Sequence, residues 1–233
     1  MTKTKSRSGD KPQVVLSIDV GGSHVKVMTS NGTPERKIES GASLTATAMV
    51  SAVETLVSDW EFDVISIGFP GPVRGNFAIE EPVNLGDGWV GFDFVHSFGK
   101  PVKIVNDALM QAIGSYDGGR MLFLGLGTGL GSAMVIENVA QPMELAHLSH
   151  KKGKSFEDYL GEAGLKKRGK KKWRGHVFDV VDRMKAALLP DYIVIGGGNV
   201  DKLDELPKSC RRGDNTLAFE GGFRLWRDST LVV

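Results

Sequence analysis

The chain has 233 residues, enough for one large domain or two small lobes. Its 29 Lys and Arg against 28 Asp and Glu leave a formal charge of +1, so no global field draws it to nucleic acid or to a membrane surface. A composition of 41% hydrophobic and 24% charged residues excludes disorder and fibre, and one cysteine, Cys210, excludes an internal disulfide and a Cys-rich zinc cage. No apolar run approaches the ~20 residues of a membrane helix. The polar start MTKTKSRSGDKPQ lacks the apolar stretch of a signal peptide, so residues 1–12 read as a disordered arm and the protein as cytoplasmic.

Residues 13–30 predict two strands joined by the turn Gly21-Gly22, and residues 44–60 an amphipathic helix with Leu44, Ala48, Val53, Leu56 and Trp60 at helical spacing. Strands are expected at 63–69 and 102–105, the second feeding a helix through about Tyr116. The Gly-, Pro- and Asn-rich stretch between them is too long for a mere connector, which marks it as functional or disordered. Residues 121–137 repeat the opening pattern of apolar run, glycine turn and apolar run. Ser155 to Asp158 has the spacing of a capping box, 177–189 reads as a helix ended by Pro190, and 192–200 as a buried strand running into Gly196-Gly197-Gly198. A last helix is expected over 216–227. This alternation predicts an α/β protein with an N-terminal lobe over 13–107, a C-terminal lobe over 108–215, and a tail over 216–233.

Thirty glycines, about 13% against an average of ~7%, gather where strands should end. They fit neither common nucleotide motif. A phosphate loop ending at Gly153-Lys154-Ser155 would need glycine at Leu148, and a dinucleotide fingerprint from Gly125 would need glycine at Leu130. What remains is a hairpin turn whose backbone N–H groups face a phosphate, since glycine accepts positive φ and lets an anion approach. Asp19, just before Gly21, Gly22 and Ser23, can hold Mg2+ through water, and Lys26 can meet a phosphate as a point charge. Plain hairpin chemistry explains any one such turn; three at three strand ends weigh against it.

The stretch Asp19-Val-Gly21-Gly22-Ser23-His-Val-Lys26 resembles the first phosphate motif of the ROK sugar kinases, within the actin-like ATPase superfamily. The run Gly125 to Gly131, with Gly127, Thr128 and Gly129, is similar to their second phosphate motif, and Gly196-Gly197-Gly198-Asn199 to the segment lining the nucleotide. Asn84 to Gly91 resembles their sugar loop, Asn106-Asp107-Ala108 their catalytic signature, and Glu144-Leu-Ala146-His147 their sugar motif, with Ala146 where glycine is usual. SFEDYLGEAGL places Glu157 where the family has a sugar-contacting glutamate. Motif order and segment lengths are most similar to the polyphosphate glucokinases.

The resemblance implies a two-lobed actin-like ATPase (ribonuclease H-like) fold with a cleft between lobes and a last helix returning to the N-terminal lobe. It implies phosphoryl transfer from ATP or polyphosphate, with Mg2+, to the 6-hydroxyl of glucose, Asp107 acting as general base. Phosphate or nucleotide contacts would come from Asp19, Gly21, Gly22, Ser23, Lys26, Gly127, Thr128, Gly129, Gly197, Gly198 and Asn199. Sugar contacts would come from Asn84, Asn106, Glu144, His147 and Glu157. No cysteine lies between 144 and 198, so no zinc site is expected; related kinases are commonly dimers.

Local chemistry leaves alternatives open. Asp107 can be a helix N-cap, and Glu157 an acidic residue favouring a helix N-terminus. His147 with His150 suggests a metal pair but lacks a third ligand nearby in sequence. The basic run from Lys166 to Arg174 reads by default as a solvated, helix-breaking surface loop, and otherwise as a track for a polyanion such as polyphosphate. Nucleic acid fits less well because a single Trp interleaves the run, and the dozen residues before the first strand leave no room for a repressor's DNA-binding domain. A kinase for mannose, fructose or an N-acetylated hexosamine, and a non-catalytic sugar- or nucleotide-sensing protein, use the same residues.

Overall fold

The computed structural model describes residues 12–233, so the arm expected over 1–12 lies, apart from Pro12, outside the described residues. The chain opens with an antiparallel meander of β1 (Val15–Val20), β2 (His24–Thr29) and β3 (Arg36–Glu39). It crosses through α1 (Ala46–Leu56) to β4 (Val64–Phe69), parallel to β1. A small hairpin, β5 (Val73–Arg74) and β6 (Phe77–Ala78), and the short α2 (Phe94–Phe98) precede β7 (Val102–Asn106), parallel to β4. α3 (Asp107–Ser115) leads into a second meander, β8 (Arg120–Leu126), β9 (Leu130–Ile136) and β10 (Val139–Met143). Next come the hairpin β11 (Ser149–Lys151) and β12 (Lys154–Ser155), then α4 (Glu157–Leu160), α5 (Glu162–Arg168) and α6 (Lys170–Leu188). Parallel β13 (Tyr192–Gly196) and β14 (Cys210–Arg212) complete the second sheet, and α7 (Leu217–Arg227) closes the chain.

The two sheets run β3-β2-β1-β4-β7 and β10-β9-β8-β13-β14. Meander, then two parallel strands: one topology is built twice. This is the duplicated arrangement of the actin-like ATPase fold. The all-buried VISIGF of β4 follows from its central place, covered on both faces, whereas β2 alternates half-buried and buried residues. On one face of the first sheet Ile18, Val20 and Ile67 pack with Met49, Val50 and Val53 of α1 and with Trp89 and Phe94.

Its other face meets α7, and α3 lies between α7 and the second sheet. Ser66 Oγ donates to Gly222 O (2.6 Å) and Trp226 Nε1 donates to Ser66 Oγ (3.0 Å), fixing α7 on β4. α3 and α7 cross where neither has a side chain. A methyl on Gly114 would strike Leu217 O, and one on Gly221 would strike Met110 O. Glycine at the crossing lets the two helices approach backbone to backbone.

The basic run is not a loop. Residues 162–168 and 170–188 are helical, broken only at Gly169, whose φ of 74° suits glycine. α6 therefore begins seven residues before the periodic stretch at 177, because Trp173 extends its buried stripe through Val177, Val181 and Met184. The Trp173 indole N–H donates to Leu160 O at 2.7 Å, locking this end down. Lys166 pairs with Glu162 at 2.6 Å, and Lys170 and Arg174 both pair with Asp204, which offsets charge that would otherwise repel along the helix. The capping box closes reciprocally: Ser155 N donates to Asp158 Oδ2 (2.9 Å) and Asp158 N to Ser155 Oγ (3.2 Å).

Candidate active site

Parallel pairing aligns three strand ends of the first sheet. Asp19 of β1 is in register with Gly68 of β4, and Gly68 with Val105 of β7, two residues before Asp107. Asp19 and Asp107 thus stand on one edge, with glycine between them. A methyl on Gly68 would come within 2.5 Å of Met110 Cε and 3.5 Å of Asp107 Cα, so this strand end packs closely under the start of α3.

Asn106, not Asp107, caps α3. Its backbone is extended, and its Oδ1 accepts from Leu109 N at 3.1 Å. Its Nδ2 donates to Gly71 O (3.3 Å) and to Asp107 Oδ1 (3.2 Å), so both ends of the amide are engaged within the protein. Asp107 Oδ1 also accepts from Ala108 N at 2.7 Å, which leaves Oδ2 without a hydrogen-bond partner among the described residues. Burial pushes the Asp107 carboxyl up to about 7; Asp19 and Glu144 add to the rise and the Ala108 N–H opposes it. Burial likewise lifts Asp19 to about 6, opposed by Lys26 and reinforced by Glu35. A carboxylate near 7 with one free oxygen is suited to proton transfer at neutral pH.

The first glycine turn is held by Gly21 N donating to His24 O (3.0 Å) and Ser40 Oγ donating to Gly21 O (2.6 Å), while Gly22 and Ser23 are exposed. Asn84 lies against it: a methyl on Gly22 would sit 3.2 Å from Asn84 Cβ. Lys26 faces Asp19 across the β1–β2 pair, and its ammonium lies 3.9 Å from Glu35.

The second and third turns are fused. Asn199 N donates to Leu126 O (2.8 Å), and Asn199 Nδ2 to Gly127 O (3.1 Å). Gly197, at φ 82°, packs so closely that a methyl would lie 2.5 Å from Leu126 O. Glu157 Oε2 accepts from Leu130 N (3.1 Å) beneath Gly129, and Thr128 at the tip is exposed. Gly127 and Gly198 have open space where a side chain would go, so their backbone is approachable.

Glu144 precedes a short 3-10 turn, and its carboxylate is 3.6 Å from His147 Nε2. Partial burial raises its carboxyl; His147 opposes, and Glu157 and Glu80 add. Charge repulsion thus reaches Asp107 from Asp19 and Glu144, and Glu144 from Glu157 and Glu80. Ala146 is buried beside Leu145, so its methyl packs in the core of the second lobe.

His150 meets His176, with 3.3 Å between ring nitrogens, rather than His147; no group of three His, Cys, Asp or Glu among the described residues is arranged to hold a metal ion. For Mg2+, the single carboxylate of Asp19 is a suitable protein ligand, because this ion keeps most of its waters and takes the rest of its shell from substrate phosphates. Two acidic residues escaped the sequence reading. Glu80 raises the Glu144 carboxyl by its charge, and Glu81 accepts from the backbone N–H groups of residues 88–90; their only signal was a Glu-Glu pair inside a Gly- and Pro-rich stretch.

The sequence model of the ROK family matches residues 15–142, over half of the chain. The chain belongs to the ROK family. Among solved structures, the inorganic polyphosphate/ATP-glucomannokinase of Arthrobacter sp. strain KM aligns with a TM-score of 0.77 at 20% identity, covering 90% of this chain and 96% of that one. A ROK family glucokinase from Streptomyces griseus, in complex with glucose and AMPPNP, aligns at 0.69 and 15% identity over 93% and 100%. A ROK hexokinase from Thermus thermophilus aligns at 0.64 and 18% identity over 89% and 96%. At such identities these ROK structures share the fold with this chain. No curated protein matches the sequence.

Proposed function

We propose that the protein is a sugar kinase that phosphorylates the 6-hydroxyl of glucose from ATP or polyphosphate with Mg2+. The observation that carries this reading is Asp107: a carboxylate near 7, one oxygen fixed and the other free, on the strand edge shared with Asp19. Phosphoryl transfer asks a protein for positioning, charge stabilisation and a base. Asp107 accepts the hydroxyl proton. Asn84, Glu144, His147 and Glu157 take the remaining hydroxyls; the amide of Asn106 serves from behind by fixing Asp107 Oδ1. The N–H groups at Gly21 to Ser23 and Gly127 to Gly129 face the donor phosphates, and Gly197 to Asn199 line a nucleotide. Mg2+, when bound, neutralises donor phosphate charge, and Asp19 would hold it through water.

Both donors have support. The fused second and third turns suit a nucleotide. For polyphosphate, α5 starts against the second turn, where Glu162 N donates to Gly127 O at 3.0 Å, and leads to Lys167, Lys171 and Lys172, which have no ion-pair partner among the described residues. The lobes are 13–107 and 108–215, with 216–233 as a tail docked on the first, in a cytoplasmic homodimer. Among the described residues no helix is long and apolar enough to cross a membrane.

The test is hexose 6-phosphate formation by purified protein with ATP or long-chain polyphosphate, across glucose, mannose, fructose and N-acetylated hexosamines. Glucose turnover is expected. Turnover of another hexose alone would move the reading to that sugar, and glucose binding without turnover would make the protein a sensor.

A further inference from the structure

Residues 79–91 form a loop closed at its neck, where Ala78 bridges Val90 and Gly91 N donates to Ala78 O at 3.1 Å. Inside the neck lies one carboxylate. Glu81 Oε1 accepts from Gly88 N (3.2 Å) and Val90 N (3.4 Å), and Oε2 accepts from Trp89 N (3.0 Å). Gly88 has a φ of 89°, which suits glycine, and three successive N–H groups, of residues 88, 89 and 90, converge on this carboxylate as in backbone nests that bind anions. Trp89 is fully buried, and its indole N–H donates to Leu44 O (3.3 Å), which also accepts from Gly86 N (3.0 Å). At the tip, Asn84 rests on Gly22 of the first glycine turn.

We propose that Glu81 is a positioning residue for sugar binding: its carboxylate clamps Gly88, Trp89 and Val90 and so holds Asn84 in place against the first glycine turn. The inference rests on the sugar-kinase reading for the identity of the ligand. Both carboxylate oxygens are used, so neither an amide nor an alanine replaces the clamp. Glutamine keeps one acceptor oxygen and turns its NH2 toward N–H groups that need an acceptor.

The experiment compares Glu81→Ala and Glu81→Gln with the unmodified protein by amide hydrogen exchange, and by calorimetric titration with glucose and separately with ATP. Exchange over 86–92 should quicken and glucose dissociation constants should rise, each roughly tenfold for Glu81→Ala and less for Glu81→Gln. ATP affinity should change less than glucose affinity, because no hydrogen bond of Glu81 reaches a glycine turn. Unchanged exchange would remove the clamp. Faster exchange with unchanged glucose affinity, or equal losses for both ligands, would remove its role in sugar positioning, as would an unmodified protein that does not bind glucose. Glucose binding without turnover would defeat the kinase reading and leave the positioning role standing.

Discussion

Asp107 and Asp19 are acidic groups whose ionisation is made costly by burial, and the charge of Asp19 makes that of Asp107 harder still. A base near 7 must be ionised to accept a proton, so the sugar kcat/KM should fall as pH drops through about 7, read from a pH–rate profile. Stability moves the opposite way. Both carboxyls bind their protons more tightly in the folded chain than in the unfolded one, where values near 3.8 apply. Their contribution is therefore fully present below about 3.8 and is lost as pH rises through about 6 to 7. Melting curves at pH 5 and pH 8 should show a larger fall for the unmodified protein than for Asp107→Asn, which cannot ionise; equal falls would show that Asp107 is not the strained acid. At this scale the sequence pointed to the Asn106-Asp107 pair but could not divide its labour. Both residue types cap helices, and only the geometry gives the cap to Asn106 and frees an oxygen on Asp107.

At the scale of elements, α3 carries Asp107 on its first turn and is held by its crossing with α7. Gly221→Ala forces a methyl onto Met110 O, inside the helix that positions the base. Overpacking of this kind costs about 1–3 kcal/mol, and each 1 kcal/mol lowers the melting temperature by about 2–4 °C in a chain of this size. Calorimetry should show that loss together with reduced turnover; an unaffected melting temperature would mean that the helices part easily. On α6, Lys171→Ala with Lys172→Ala should raise the KM for long-chain polyphosphate and leave that for ATP unchanged, because only an extended polyanion reaches so far from the second turn. Both hairpins were legible in the sequence because a glycine turn between apolar runs is a local signal. The helical stretch before 177 was hidden because lysines and arginines surround its deep anchor, Trp173, whereas the remainder of α6 was legible from its apolar face. The order of residues 79–91 was hidden too, since it comes from one side chain gripping distant backbone.

For the whole molecule, two sheets of one topology carry glycine turns at their strand ends, and acidic groups whose charges act on Asp107 and Glu144 gather at the candidate site between them. The α/β class was legible from the alternation of strands and helices. The strand order was not, because it is set by pairing between segments far apart in sequence, such as β1 with β4 and β8 with β13. A ligand seated in that site stabilises the folded chain by mass action, about 2.7 kcal/mol at a hundredfold excess over its dissociation constant. Glucose should accordingly raise the melting temperature by several degrees, and a hexose that the site rejects should not.

The central claim is that Asp107 takes the proton of a sugar hydroxyl during phosphoryl transfer. The measurement that tests it most directly is glucose 6-phosphate formation at pH 8 by the unmodified protein and by Asp107→Asn. The predicted result is turnover in the first and a loss of roughly 10²- to 10⁴-fold in the second, with glucose still bound. Turnover in Asp107→Asn equal to that of the unmodified protein would contradict the account.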